Sequence, residues 1–407
     1  MVKRNRNISV KFGLQAPTPP RGRRRRRNLR RTEPDLDQLA VRESDKIKRY
    51  FQDYKKHYKF DTPIANGQHG VAVVVTRFAR KDPPSPEISF VVKRAYDESG
   101  DAIEILENEI QWLKRLRGAP HVIQIVELEP DPFKDFNRPT LVTEYVENGT
   151  LTELIERASF RRRPVPNRIL WAFYSCLVRT CIAMAWPDRG AAGELQANEQ
   201  FPTDWKERPQ RQLIHGDLHP DNIVIGELSP LADEHLVAPI LKVVDWGLAR
   251  VVPDLHNVGL GVTVNIFDIS RIMRMLITLD TTFELEPKRV PLQPTKPDEP
   301  PRYCMTASPN LAKPNYLHLD DDLRDLVIQC TSTNRDDRPN LEALCNIISL
   351  NMGTKTETYY RQAPYSRWER ERAVQNYVQQ MIFYGSDDEA QHSDDDDGGN
   401  DDEDIIL

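Results

Sequence analysis

The sequence lacks the cysteine pattern of a disulfide framework or of a zinc site. Its five cysteines are odd in number and scattered, and no two of them are spaced C-x-x-C. An extracellular disulfide scaffold usually has an even set of cysteines, and a zinc site usually has closely spaced ligand pairs. We therefore expect neither feature, and we expect reduced thiols that lie in the core or at the surface: Cys176, Cys181, Cys304, Cys330 and Cys345.

Long apolar runs are also scarce. No run approaches the roughly 20 apolar residues that a membrane span needs. The basic N-terminal segment has no apolar stretch of the kind found in a signal peptide. With 39% hydrophobic and 29% charged residues over 407 positions, the composition predicts an intracellular globular protein with a sizeable core. We expect no membrane partner and a cytoplasmic or nuclear location.

The two ends of the chain carry opposite charge, although the net charge is only -6. Residues 1–34 contain twelve Lys and Arg against one acidic residue, whereas residues 386–407 contain eleven Asp and Glu and no Lys or Arg. Both ends have too few apolar residues to form a core, which predicts a disordered basic tail over 1–34 and a disordered acidic tail over 385–407. The basic tail could be a plain solvated segment, a nuclear import signal, or an arm for an acidic or nucleic-acid partner.

Between the tails, hydrophobic periodicity divides the chain into a strand-rich part and a larger helical part. Helical spacing over 35–59 predicts a helical extension, and an amphipathic pattern predicts a C-terminal helix over 356–384. Polar or proline-rich composition predicts a surface insertion at 187–209 and an irregular segment at 284–315. The other predicted elements are strands at 71–76, 88–93, 122–127 and 140–145, and helices at 101–116, 167–186, 266–279 and 320–350.

Two apolar runs each end in a turn that carries an aspartate. The first turn, residues 213–222, reads L-I-H-G-D-L-H-P-D-N, and the second, residues 245–247, reads D-W-G after two valines. Phosphoryl transfer requires a carboxylate that accepts a proton from the attacking hydroxyl, together with oxygen ligands for magnesium. The two turns therefore predict a site for metal-bound phosphates that contains Asp217, Asn222 and Asp245.

A glycine-containing turn and a single lysine precede these two turns in the chain. Residues 65–70 read A-N-G-Q-H-G, and Gly67 and Gly70 would let backbone N–H groups approach phosphates closely, although a simple hairpin turn has the same pattern. Lys93 ends an apolar strand where a core strand would avoid a charge, so it indicates an anionic partner. Glu109 lies in the following predicted helix and can face the strand that carries Lys93.

In this order, the motifs resemble those of the eukaryotic protein kinase fold over roughly residues 60–350. The resemblance implies an α+β, bilobal fold, with a small antiparallel β-sheet N-lobe carrying one main helix over 60–146 and a larger, mostly helical C-lobe over 147–355. It also implies ATP and Mg²⁺ as cofactors. The implied reaction is transfer of the γ-phosphate to a Ser or Thr hydroxyl of a protein substrate.

The same resemblance implies roles for individual residues. Asp217 is expected to be the catalytic base, Lys93 to bind the nucleotide phosphates, and Glu109 to orient Lys93. Asn222 and Asp245 are expected to hold magnesium. The remaining implied contacts are Gly67 and Gly70 with the phosphates, Thr143 as gatekeeper, the backbones of Glu144 and Val146 with the adenine, and Asp268 as an anchor for the catalytic loop, residues 213–222.

Three departures from the family pattern leave alternatives open. Gly216 replaces an arginine that meets an activation-loop phosphate in many kinases, and no Ala-Pro-Glu motif lies between Asp245 and Asp268. We therefore expect a short activation segment that phosphorylation does not switch. His219 replaces a lysine, brings less charge to the γ-phosphate, and is similar to the histidine of aminoglycoside and choline phosphotransferases. A small-molecule phosphotransferase and a pseudokinase scaffold stay open beside the protein kinase.

Overall fold

A computed structural model describes most residues between Leu36 and Phe383. The residues within this range that it does not describe are 54, 56, 67–69, 82–83, 97–99, 129–132, 134–137, 188–198, 200, 205, 208, 230–234, 254–258, 283–285, 294–299, 301 and 313–315. The tails predicted at 1–34 and 385–407 lie outside the described residues, as does Gly67.

The described part of the chain alternates between strands and helices at first and then becomes mainly helical. The helices are α1 Leu36–Asp53, α2 Gly100–Arg115, α3 Leu151–Phe160, α4 Asn167–Ala185, α5 Leu260–Thr278, α6 Asp321–Cys330, α7 Leu341–Thr354, α8 Glu357–Tyr360 and α9 Glu371–Tyr377. The strands are β1 Tyr58–Asn66, β2 Gly70–Arg77, β3 Arg80–Lys81, β4 Pro84–Ser85, β5 Ile88–Ala95, β6 Thr140–Glu144, β7 Leu213–Ile214, β8 Ile223–Ile225, β9 Leu241–Val243, β10 Arg250–Val251, β11 Lys288–Leu292 and β12 Arg302–Thr306.

The smaller lobe is a four-stranded antiparallel sheet in the order β1-β2-β5-β6. β-branched residues of β2 alternate so that Val73 and Val75 are fully buried, as expected for a half-buried strand. Ile47 and Phe51 of helix α1 pack on the buried side chains of this sheet. In β5, Lys93 pairs with Ala72 on one side and Leu141 on the other, which places its side chain at a fixed position of the sheet.

Two predictions for this lobe were wrong in detail. The helical extension predicted over 35–59 ends at Asp53, because Tyr58 already pairs with Arg77 in the sheet. The segment predicted as a strand at 122–127 forms only isolated bridges, Val122 with Val243 and Ile125 with Thr143. Its two ends pair with different neighbours, so no continuous ladder forms.

Helix α4 is the central element of the larger lobe and packs against α5 and α7. Within the described residues it is the one helix long and apolar enough to cross a membrane. Its most apolar stretch is 83% buried inside the fold. Burial of this kind is expected for a core helix. The same helix contacts β7 and β9, the strands that precede residues 215–222 and 245–247.

Residues 284–315 were predicted to be irregular but contain a β-hairpin. Strands β11 and β12 pair in antiparallel register, from Lys288 with Thr306 to Leu292 with Arg302. Val290 and Leu292 point inward, whereas the neighbouring positions are exposed. The prolines of this segment hid its alternation of apolar and polar residues in the sequence. Pro291 is tolerated in β11 because a strand of a two-stranded hairpin does not need every backbone N–H for pairing.

The two helices predicted at 320–350 and 356–384 are interrupted. The first divides into α6 and α7, and Pro339 lies in the segment between them. The side chains of Asp320 and Asn340 cap the N-termini of the two helices. The second consists of α8, a 3₁₀ turn at Ser366–Glu369, α9 and a π-helical end at Val378–Phe383. Pro364 lies at the break after α8, where a proline prevents continuation of an α-helix.

Candidate active site

Lys93 joins three elements at the cleft between the lobes. Its Nζ lies 2.6 Å from Glu109 Oε2 of α2 and 2.7 Å from Asp245 Oδ1 of the turn after β9. Burial alone would lower the pKa of Lys93, but the two carboxylates outweigh it and hold that pKa above its usual value. Glu109 is 3% exposed, and the Lys93 ammonium opposes the rise in its pKa that burial causes. The three side chains therefore form a charged cluster.

The backbone of Asp245 adopts a left-handed conformation, with φ 62° and ψ 65°. A residue other than glycine is uncommon in this conformation and keeps it only where the surrounding structure holds the backbone. The side chain of Asp245 is 43% exposed and that of Lys93 is 27% exposed. Both groups are therefore accessible from solvent.

Side chains of α2 fasten this helix to the turn after Asp245. Asn108 Nδ2 donates to the carbonyl oxygens of Gly247 and Ala249, both at 2.8 Å, and Trp112 Nε1 donates to the Ala249 carbonyl at 3.1 Å. A Cβ on Gly247 would lie 2.4 Å from Ile105 Cγ2, so any other residue there would require the Ile105 side chain to move. Sequence reasoning missed Asn108 and Trp112, and nothing in their spacing distinguishes them from other helix residues.

The buried His215 holds the start of the catalytic loop. Its Nε2 donates to the Val244 carbonyl at 3.0 Å, its Nδ1 accepts from the Asp217 amide at 3.3 Å, and its ring contacts the Trp246 ring edge-on. Burial lowers the pKa of His215 to about 4, so the ring is neutral. Gly216 has φ 85°, and a Cβ there would lie 2.5 Å from the Leu248 carbonyl oxygen.

Asp217, His219 and Asn222 are brought together by the loop and the following 3₁₀ turn. Asn222 Nδ2 donates to the Asp217 carbonyl at 2.9 Å, lies 3.3 Å from Asp217 Oδ2, and contacts His219 Nε2 at 2.9 Å. His219 Nδ1 lies 3.1 Å from Asp221 Oδ2. In this pattern His219 carries its proton on Nδ1, which faces Asp221. The contacts with Asp217 and His219 use Nδ2 of Asn222, so Oδ1 is the Asn222 atom available as a metal ligand.

The anchor of the catalytic loop is Asn265, and the expectation for Asp268 was wrong. Asn265 Nδ2 donates to the Leu213 carbonyl at 2.8 Å. Asp268 lies nearly one turn further along α5, 3.5 Å from Arg271, and its pKa is raised to about 6 by burial, which Arg271 opposes. Residues three positions apart lie on neighbouring parts of a helix surface, so packing decides which of the two reaches the Leu213 carbonyl.

On the adenine side, the gatekeeper candidate Thr143 is buried and pairs with Val91. The Glu144 amide donates to the Gln124 carbonyl at 3.0 Å, so the backbone group of Glu144 suited to an adenine is its carbonyl. Lys242 and the Gln124 amide hold the Glu144 side chain. Val146 packs against the core of the larger lobe.

Gly70 has a packing reason that is independent of phosphate. It pairs with Ala95, and a Cβ at Gly70 would lie 2.3 Å from the Arg94 carbonyl oxygen. Gly67, the other glycine expected to meet phosphates, lies outside the described residues.

The segment after Asp245 is short. Strand β10 pairs with β7, the strand that begins the catalytic-loop stretch. Helix α5 begins at Leu260, and residues 254–258 lie outside the described part. The Arg338 guanidinium donates to the Thr263 carbonyl at 2.8 Å and lies 4.5 Å from the centre of the Phe267 ring. This arginine therefore braces the start of α5.

A two-lobed α+β fold with a Lys–Glu–Asp cluster beside an Asp–Asn loop defines a phosphotransferase of the protein kinase-like class. A sequence-family model described as "protein tyrosine and serine/threonine kinase" matches residues 58–261, half of the 407 residues. The chain belongs to this family, as the sequence motifs indicated. The matched range begins at β1 and ends at the start of α5, so it contains Lys93, Glu109, Asp217, Asn222 and Asp245. No curated protein matches the chain significantly.

Proposed function

We propose that the protein is an ATP- and Mg²⁺-dependent protein kinase that transfers the γ-phosphate to Ser or Thr hydroxyls of a protein. The observation that carries the proposal is the double contact of Lys93 with Glu109 and Asp245. Such a cluster holds a cation where phosphate oxygens would arrive and a carboxylate where a metal would bind. Phosphoryl transfer depends mainly on this positioning and charge neutralisation.

Each residue then has a role that its contacts support. Lys93 neutralises nucleotide phosphate oxygens, and Glu109 keeps its ammonium in place. Asp217 is 45% exposed and accepts the proton of the attacking hydroxyl. Asn222 Oδ1 and the Asp245 carboxylate are the oxygen donors that Mg²⁺ prefers, and the ion supplies charge neutralisation for the phosphates when bound.

A second candidate is a phosphotransferase that acts on a small-molecule hydroxyl. Two observations favour it. His219 contacts Asn222 and Asp221 at the place where a lysine would bring a full charge, and the segment between Asp245 and α5 is short. A short segment offers little backbone on which a peptide could be seated. A scaffold without catalysis is the third candidate, and it gains no support from the site, since none of the catalytic positions is replaced by an inert residue.

A phosphotransfer assay separates these candidates. The full-length protein is incubated with γ-labelled ATP, Mg²⁺ and a mixture of protein and small-molecule acceptors, and the labelled product is identified. Asp217→Asn should reduce incorporation by about 10²–10⁴-fold, the usual contribution of a general base. The matched control is Asp336→Asn, because Asp336 is a highly exposed aspartate that is not one of the site residues.

The outcomes differ for each candidate. Labelled phosphoserine or phosphothreonine supports the proposal, whereas a labelled small molecule supports the second candidate and phosphotyrosine contradicts the Ser/Thr preference. Incorporation that persists in Asp217→Asn contradicts the assigned base. Stabilisation of the fold by ATP with Mg²⁺, without incorporation into any acceptor, would identify a scaffold.

A further inference from the structure

Outside the cleft, three potential metal ligands meet inside the larger lobe. His121 lies after α2, Cys176 lies in α4, and His235 lies between β8 and β9. Each offers a ligand atom, and these atoms all lie within 4.8 Å of one another. The residues are only 3%, 1% and 6% exposed. The family match gives this cluster no role, and the catalytic cleft does not use it.

A carboxylate orients one of the histidines. Glu199, itself 1% exposed, accepts from the His121 backbone amide at 3.2 Å and contacts His121 Nδ1. His121 Nε2 is buried and no described residue meets it with hydrogen-bond geometry, although the Cys176 side chain interacts with the His121 ring. A histidine whose Nδ1 is held by a carboxylate, with Nε2 left for another partner, is the usual arrangement of a metal-binding imidazole.

Burial and ligand type restrict what the cluster can do. The Cys176, His121 and Glu199 side chains also have the composition of a cysteine nucleophile with its base, but no substrate can reach a thiol that is 1% exposed. One thiolate with two imidazoles is a donor set that suits zinc rather than magnesium or calcium. In a tetrahedral zinc site, neighbouring N and S ligand atoms lie about 3.3–3.6 Å apart. Separations within 4.8 Å can close to this range by small side-chain shifts.

We propose that His121, Cys176 and His235 bind one Zn²⁺, with Glu199 orienting His121 from outside the coordination shell. Three protein ligands leave a fourth position, which water fills in zinc sites with three protein ligands. The His121 carbonyl accepts from the Val243 amide at 2.9 Å and from Thr180 Oγ1 at 3.2 Å. The ion would therefore tie α4 and the β8–β9 connection to the strand that leads into Asp245.

The direct test measures zinc in the purified full-length protein, expressed with zinc in the medium. We expect about one zinc per chain in the unmodified protein and a loss of most of it in Cys176→Ser and in His235→Gln. Cys181→Ser is the matched control, because Cys181 is a second buried thiol of α4 outside the cluster. That variant should keep its zinc.

Cobalt substitution of the unmodified protein tests the ligand type without any variant. We expect the ultraviolet absorption band of a cobalt–thiolate bond, and chelation of the metal should lower the unfolding temperature by several degrees. Asp245→Asn should keep the zinc, since the proposed ion is not in the catalytic cleft.

Three results overturn the proposal. In the first, the unmodified protein binds no zinc, either as purified or after titration with Zn²⁺, which would leave a cluster of buried polar groups without a metal. In the second, the cobalt form shows no thiolate band. In the third, zinc persists in Cys176→Ser or is lost in Asp245→Asn, which places the ion elsewhere.

Discussion

Removal of the Asn108 side chain should release α2 from the turn that carries Asp245. Asn108→Ala deletes two hydrogen bonds of 2.8 Å, to the carbonyls of Gly247 and Ala249. A neutral hydrogen bond contributes about 0.5–1.5 kcal/mol net. Because Trp112 still donates to the Ala249 carbonyl, the total loss should be about 2 kcal/mol rather than the full desolvation cost of both carbonyls.

A coupling loss of about 2 kcal/mol changes the ratio of docked to released α2 by about 30-fold. Glu109 is the next residue on the helix, so release also separates it from Lys93. We expect amide hydrogen exchange in α2 to accelerate by up to this factor, and we expect phosphotransfer to fall in parallel. The exchange measurement does not depend on finding an acceptor. Asn108→Asp should have the larger effect, because its carboxylate would face two carbonyl oxygens.

Glu107→Ala is the control for this experiment, since Glu107 is an exposed residue of the same helix and its loss should leave exchange in α2 nearly unchanged. Equal exchange rates in Asn108→Ala and Glu107→Ala would refute the reasoning. They would show that packing of α2, rather than the two hydrogen bonds, holds the helix against the turn.

Three further predictions concern the catalytic loop and can be measured by denaturant unfolding. Gly216→Ala should destabilise the fold by more than about 2 kcal/mol, since φ is 85° and a carbonyl oxygen lies 2.5 Å from the new Cβ. The control, Gly353→Ala at an open helix position, should stabilise the fold by about 0.5–1 kcal/mol. Similar changes in the two variants would contradict the strain argument. Asn265→Leu should cost about 1–3 kcal/mol and Asp268→Asn less than about 1 kcal/mol, and the reverse order would restore Asp268 as the anchor. The pKa of His215 is lowered from 6.5 to about 4, so its contribution to stability is present above pH 6.5 and is lost as the pH falls towards 4; His215→Asn should lose less stability over that window, and an unchanged pH dependence would argue against a buried neutral ring.

The core of the site could be predicted because short stretches of backbone fix its geometry. Asp217 and Asn222 are five positions apart in one loop, and Lys93 lies in β5, the strand that directly precedes the helix with Glu109. In such cases residue type and spacing determine which side chains can meet. The contact of Lys93 with Glu109, 16 positions further along the chain, follows this local logic. Asp245 is 152 positions from Lys93, and it was assigned to the site by its turn and by the order of the kinase-like motifs.

Contacts between distant segments could not be predicted in this way. Asn265 and Asp268 are both polar residues of α5, and only packing decides which of them faces the catalytic loop. Counting cysteine spacings excluded a zinc site, yet Cys176 meets His121 and His235 from parts of the chain that are remote in sequence. A single sequence carries no signal for such a cluster until the fold brings its members together.

The glycine at position 216 connects the sequence and the structure of the catalytic loop. An arginine could not adopt φ 85° without strain, and its Cβ would meet the Leu248 carbonyl. The loop and the turn after Asp245 are held instead by neutral contacts: His215 to the Val244 carbonyl, Asn265 to the Leu213 carbonyl and Asn108 to the Gly247 carbonyl. None of these contacts needs a phosphate to form. We therefore infer that the arrangement around Asp245 is set by packing and hydrogen bonds, and a phosphorylated residue between Arg250 and Phe267 that raised activity would contradict this inference.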